Sequence, residues 1–240
     1  AGPGKAHKLA EVIAAFCLAL DISTLSAVAS DQFARAHEKL GRNRPVNYLK
    51  LGDLDPDLFN EALHRAGHAL TVRELTPLSR GTTGSSIITE LTSHKINKLV
   101  GHFPYRMHTD RGDIDVMIKV KPLDSEVILM VNSMAAMCSP RLAQEFNHFR
   151  DQLGFKGCHV RELAVMSQTD PRFVRHAPTV YGVVRDDERE AYVIIQEKLQ
   201  GLVHMDSADN TSGWTREHLE AAIKGITEVH AFWLGREDEL

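Results

Sequence analysis

The chain has 240 residues, of which 43% are hydrophobic and 25% are charged, and its formal net charge is −4. This composition is ordinary for a globular chain with a substantial core, and without a run of Lys and Arg it argues against nucleic-acid binding. No unbroken apolar run approaches the about 20 residues that span a bilayer, so we expect no membrane span. Three widely spaced cysteines favour reduced thiols in a cytoplasmic protein over a disulfide framework.

The first 40 residues have the apolar spacing of amphipathic helices. Asp21 and Ser23 can cap a second helix, and Gly41 is a natural helix end. The pattern predicts two helices over residues 5–40, followed by a linker over residues 45–52.

Beyond the linker, stretches of helical and strand-like pattern alternate, which indicates an α+β fold. The predicted helices cover residues 56–67, 125–153 and 215–234. The predicted strands cover residues 71–77, 86–91, 115–121, 179–184 and 191–199.

The N-terminal segment carries three ordered pieces: Leu-Ala-Glu, then Ile-Ser followed by Leu-Ser-Ala-Val-Ala, then Ala-His and Gly-Arg. This order resembles the C-terminal end of 3-hydroxy-3-methylglutaryl-CoA reductase over residues 1–44. The resemblance implies that His37 is the acid that protonates the departing CoA thiolate and that Arg42 lies near the phosphate of NADPH. It also implies an oligomer for the intact reductase, and further catalytic residues upstream of Ala1. A histidine that titrates near neutrality suits this proton transfer.

Residues 53–240 contain a second ordered series of motifs. The motifs are a Gly-containing turn at Gly81-Thr-Thr-Gly84, a strand Val116-Met-Ile-Lys-Val-Lys-Pro122, a helix around Glu145, a strand Tyr192-Val-Ile-Ile-Gln-Glu-Lys-Leu199 and a helix with Val-His-Ala. Their order resembles the N-terminal lobe of aminoglycoside-phosphotransferase-like kinases, including the ecdysteroid-kinase-like branch. The fold implied is an antiparallel sheet with helices, followed by the first helix of a C-terminal lobe.

The kinase resemblance implies an ATP site. The backbone of Gly81 and Gly84 would approach the phosphates, and the backbone around Glu197 and Leu199 would contact adenine. Magnesium is implied with the nucleotide, with its ligands and the catalytic loop expected downstream of Leu240.

Strand alternation places Met117, Lys119 and Lys121 on one face of their strand. The resemblance implies that Lys119 contacts the nucleotide phosphates and that Glu145 holds it in place, with Lys121 as the rival lysine. Because Lys121 precedes Pro122 at the end of the strand, we expect it to lie closer to solvent.

The sequence thus predicts a fragment of a bifunctional protein, which reduces hydroxymethylglutaryl-CoA and phosphorylates an unidentified small molecule. In one alternative, the kinase-like part is a non-catalytic binding or regulatory module. In another, the chain is an interaction module and both resemblances mislead.

Overall fold

The computed structural model describes residues 5–30, 46–79, 98–202, 205 and 211–236. The chain divides into two units, Ala1–Val46 and Asn47–Leu240. The described residues contain helices and one antiparallel sheet, which confirms the predicted α+β class.

The described part of the first unit is a single helix, α1, which spans Lys5–Ala29. The prediction of a helix break near residue 21 is therefore wrong, because Asp21 and Ser23 lie inside α1. Either residue costs well under about 1 kcal/mol inside a helix relative to alanine, so neither needs to end it. The predicted helix end at Gly41 lies outside the described residues.

No residue of α1 is buried. By length and composition alone, the helix could cross a membrane. The core helix of a soluble domain passes the same test, so length and composition do not place α1 in a bilayer.

The second unit is built on a five-stranded antiparallel sheet with the strand order β1-β2-β3-β5-β4. The strands are β1 (Val72–Pro77), β2 (Gly101–Thr109), β3 (Gly112–Val120), β4 (Val180–Asp186) and β5 (Ala191–Glu197). Four of the predicted strands overlap these elements, and the predicted strand at 86–91 lies outside the described residues.

Strand β2 was not predicted from the sequence. It contains Pro104, and a proline argues against a central strand because it cannot donate to the ladder. Here Pro104 lies where the β1 ladder ends, and its carbonyl accepts a hydrogen bond from the Leu78 N–H at 2.9 Å.

The described residues of this unit contain six α-helices. They are α2 (Pro56–Arg65), α3 (Asp124–Cys138), α4 (Pro140–Phe149), α5 (Cys158–Met166), α6 (Pro171–Val174) and α7 (Arg216–Trp233). The single helix predicted over 125–153 is divided at Ser139, whose hydroxyl accepts from the Leu142 N–H at 3.0 Å to cap α4. Pro140 cannot continue the preceding helix but suits the first turn of the next one. Helices α5 and α6 were not predicted.

The main core lies on one face of the sheet, against α2. Its fully buried side chains include Phe59, Leu63, Val116, Ile118, Val193 and Ile195. A smaller core on the other face joins α5 to β5 through Leu163 and Ile194. Leu49 is 2% exposed within the main core, and the second unit begins at Asn47.

Candidate functional site

Lys119 lies on the face of β3 opposite the main core. Val116, Ile118 and Val120 are buried on the core face, which confirms the predicted alternation. The Lys119 ammonium contacts Glu162 on α5, with 2.5 Å between Nζ and Oε1. The lysine predicted to bind phosphate is therefore held by an acid.

The acid that holds Lys119 is not the one predicted. Glu145 is exposed on α4, whereas Glu162 comes from α5, the helix that packs on β5 and β4. His159 and Leu163 are the buried residues of α5, and Glu162 lies three residues after His159 on the same side of the helix. That spacing is the sequence signal that could have identified Glu162.

Lys121 also binds Glu162, through the second carboxylate oxygen Oε2. Its side chain is 11% exposed, against 31% for Lys119, so the expectation that Lys121 lies closer to solvent is wrong. The chain continues past β3 in contact with β5, because the Lys121 N–H donates to the Tyr192 carbonyl at 2.9 Å. This extension keeps Lys121 under α5.

Burial lowers the pKa of both lysines, since it disfavours their charged forms. For Lys121, burial and then the neighbouring charge of Lys119 lower the pKa to about 8. One carboxylate and two ammonium groups leave a net positive charge at this point of the sheet.

His102 stands opposite Lys119 in the β2–β3 ladder. Its Nδ1 atom is buried and has no hydrogen-bond partner among the described residues. Burial lowers the pKa of His102, and the charges of Lys119 and Lys121 lower it further. The ring is therefore neutral near neutral pH and adds no charge to the site.

A cavity of about 740 Å³ opens beside these residues. It is lined by His102, Asp115, Met117 and residues 196–202. Glu197 and Leu199 thus line the same cavity as the cross-strand neighbour of Lys119.

Asp115 ties the segment after β5 to β3. Its carbonyl accepts from the Lys198 N–H at 3.0 Å, and its carboxylate accepts from Arg106 Nε at 2.7 Å. The Arg106 hydrogen bond is the main cause that lowers the pKa of Asp115, so this carboxylate stays ionised at neutral pH. The backbone hydrogen bond to Asp115 thus holds Lys198 at the edge of the cavity, and the ion pair with Arg106 holds the Asp115 side chain.

A second cavity, of about 700 Å³, lies between α2 and β4. Its lining is mainly apolar, and its two arginines, Arg65 and Arg185, are paired with the nearby acids Glu61 and Asp187. It therefore offers less for binding an anion than the Lys119 site does.

Four predicted site residues lie outside the described residues: His37, Arg42, Gly81 and Gly84. Within the described ranges, no group of three or more His, Cys, Asp or Glu side chains is placed to hold a metal ion.

Comparison with known proteins places only the N-terminal segment. The family model of hydroxymethylglutaryl-coenzyme A reductase matches residues 1–42. No curated protein and no solved structure matches the chain. The N-terminal segment is thus similar to that reductase family, and no comparison matches the second unit.

Proposed function

We propose that residues 47–240 form the nucleotide-binding lobe of a small-molecule phosphotransferase, joined to the end of a hydroxymethylglutaryl-CoA reductase domain. The observation that carries the phosphotransferase half is the ion pair between Lys119 and Glu162. In kinases, a strand lysine held by a helical glutamate places its ammonium at the nucleotide phosphates.

The surroundings of Lys119 support a nucleotide. The Lys119 side chain is about one-third exposed, and its cross-strand neighbour His102 lines the cavity. The surplus positive charge of the two lysines favours an anion. If the phosphate groups were bound at Lys119, the nucleoside part of the ligand would lie in the neighbouring cavity.

The base of the nucleotide would lie against residues 196–202. Met117 and Leu199 supply apolar surface there. Asp115 would keep this rim in place through its bond to the Lys198 N–H.

The reductase half rests on the family match to residues 1–42. NADPH supplies the hydride in that chemistry, and reduction of the thioester expels CoA as a thiolate. His37 would protonate the thiolate, and Arg42 would lie near the phosphate of the dinucleotide.

Calorimetric titration of the 240-residue chain with magnesium ATP tests the nucleotide site. We expect saturable binding that weakens about 10- to 100-fold in Lys119→Met, the usual worth of a hydrogen bond between charged groups. Lys224→Met is the matched control, because this lysine is exposed on α7.

Absence of binding by the wild-type chain would contradict the proposal, as would equal binding by Lys119→Met. Binding without phosphoryl transfer by the protein that carries both catalytic domains would favour a regulatory module instead.

A further inference from the structure

Lys121 has no part in the nucleotide site as proposed, although it is the more buried of the two lysines on Glu162. We infer that Lys121 is a positioning residue, which holds and neutralises Glu162 so that Lys119 can bind a phosphate group. This inference rests on the proposed function, because it concerns the same lysine and the same ligand.

The first support is that the two lysines contact different oxygens of the Glu162 carboxylate. Oε1 contacts Lys119 and Oε2 contacts Lys121, so each lysine has its own oxygen. If Lys119 turned toward a ligand, Glu162 would keep its bond to Lys121. The carboxylate would then stay in place instead of being left partly buried and unpaired, which is unfavourable.

The charge balance is the second support. A single Lys–Glu pair is neutral, and a phosphate that approached the lysine would also meet the negative carboxylate. With Lys121 present, the cluster keeps one positive charge while Glu162 is fully paired. An anion at Lys119 is therefore attracted, and repulsion by Glu162 is reduced.

The difference in side-chain exposure indicates which lysine meets the ligand and which holds Glu162. Lys119 is 31% exposed and stands opposite His102, which lines the cavity. Lys121 is 11% exposed and lies beyond Lys119 along the strand, away from the cavity-lining Met117. The accessible lysine is thus the one placed to meet a ligand, and the buried lysine is placed to hold the acid.

A double-mutant cycle on the 240-residue chain tests the inference by calorimetry with magnesium ATP and, separately, adenosine. We expect Lys121→Met to weaken ATP binding about tenfold and adenosine binding less than about twofold, because the Glu162 carboxylate, no longer neutralised by Lys121, would repel the phosphates. In the Glu162→Gln background, where no carboxylate needs neutralising, Lys121→Met should have little further effect. Lys121→Arg should retain most of the ATP affinity, and Lys224→Met serves as the control.

An equal loss of ATP affinity in the wild-type and in the Glu162→Gln background would mean that Lys121 contacts the phosphate directly, and would overturn the inference. Wild-type affinity in Lys121→Met, or equal losses for ATP and adenosine, would also overturn it. If Lys121→Met does not fold, Lys121→Gln keeps a polar side chain and is measured in the same cycle. Failure of the wild-type chain to bind ATP would instead overturn the proposed function itself, and this inference with it.

Discussion

At the scale of single residues, Gly182 is a point of close approach between β4 and α2. A Cβ atom at this position would lie 2.8 Å from the Ala62 carbonyl oxygen and 2.9 Å from the Ala62 carbonyl carbon. Both are backbone atoms, so no side-chain rotation can relieve the contact. The absence of a side chain at residue 182 therefore allows the helix and the edge strand to pack.

We expect Gly182→Ala to lower the free energy of unfolding by about 1–3 kcal/mol, the usual effect of overpacking. Urea unfolding followed by circular dichroism measures the change. Gly52→Ala is the control, because no atom lies within 4 Å of a Cβ at that position, and it should change stability by less than about 0.5 kcal/mol. Equal stability of the two variants would show that α2 and β4 do not approach as described.

His37 belongs to the same scale, although it lies outside the described residues. In the protein that carries the whole reductase domain, His37→Ala should slow thioester reduction about 10²–10⁴-fold, as expected for a lost general acid. Reduction of the free aldehyde should be slowed less, because no thiolate leaves in that step. Thioester reduction at the wild-type rate would remove His37 from the mechanism.

At the scale of elements, Lys98 joins the start of β2 to two other parts of the fold. Its side chain is 5% exposed, and its Nζ lies 3.1 Å from Glu126 on α3 and 2.8 Å from Glu190 in the β4–β5 turn. Glu190 has a positive φ of 48°, a conformation that disfavours most residues other than glycine. The lysine therefore helps to hold a strained turn and the first turn of a helix.

Lys98→Met should destabilise the protein by about 2–3 kcal/mol, because it leaves two carboxylates without their shared cation. This is below the range for fully buried pairs, since each glutamate side chain is about one-quarter exposed. Thermal and urea unfolding measure the loss. Adding Glu190→Gln to Lys98→Met should recover part of the lost stability. If the double variant is destabilised by the sum of the two single losses, Lys98 and Glu190 are not coupled.

Two of the predicted helices begin at capping residues. Asp55 caps α2 through the Leu58 N–H at 2.9 Å, and Thr215 stands at the N-cap of α7. The α3–α4 break was missed although Ser139 caps α4 and Pro140 lies in its first turn.

At the scale of the whole molecule, the chain consists of two units that differ in burial. No residue of α1 is buried, whereas Ile118 and Ile194 in the sheet are fully buried. Most helical stability in proteins comes from packing of a buried face, which α1 does not have, so the two units should differ in stability.

Amide hydrogen exchange should therefore be fast over Lys5–Ala29 and slow over β3 and β5. Mass spectrometry of peptic fragments resolves the two regions. Equal protection in both would indicate a single integrated domain and contradict the division into units. Protection of α1 that arises only with phospholipid vesicles would favour membrane insertion over a role as a reductase helix.

The sequence by itself determined the face of β3 on which Lys119 lies, because side-chain direction alternates with a period of two along any strand. It also determined the similarity of the first 42 residues to the reductase family, which rests on the order of local motifs. Only the tertiary structure decided that Glu162, not Glu145, holds Lys119, and that Lys121 is buried beneath the same helix. The reason is that Glu162 reaches the two lysines only because α5 packs across β5 and β4. Glu162 lies more than 40 positions from either lysine along the chain, so local sequence patterns do not pair them.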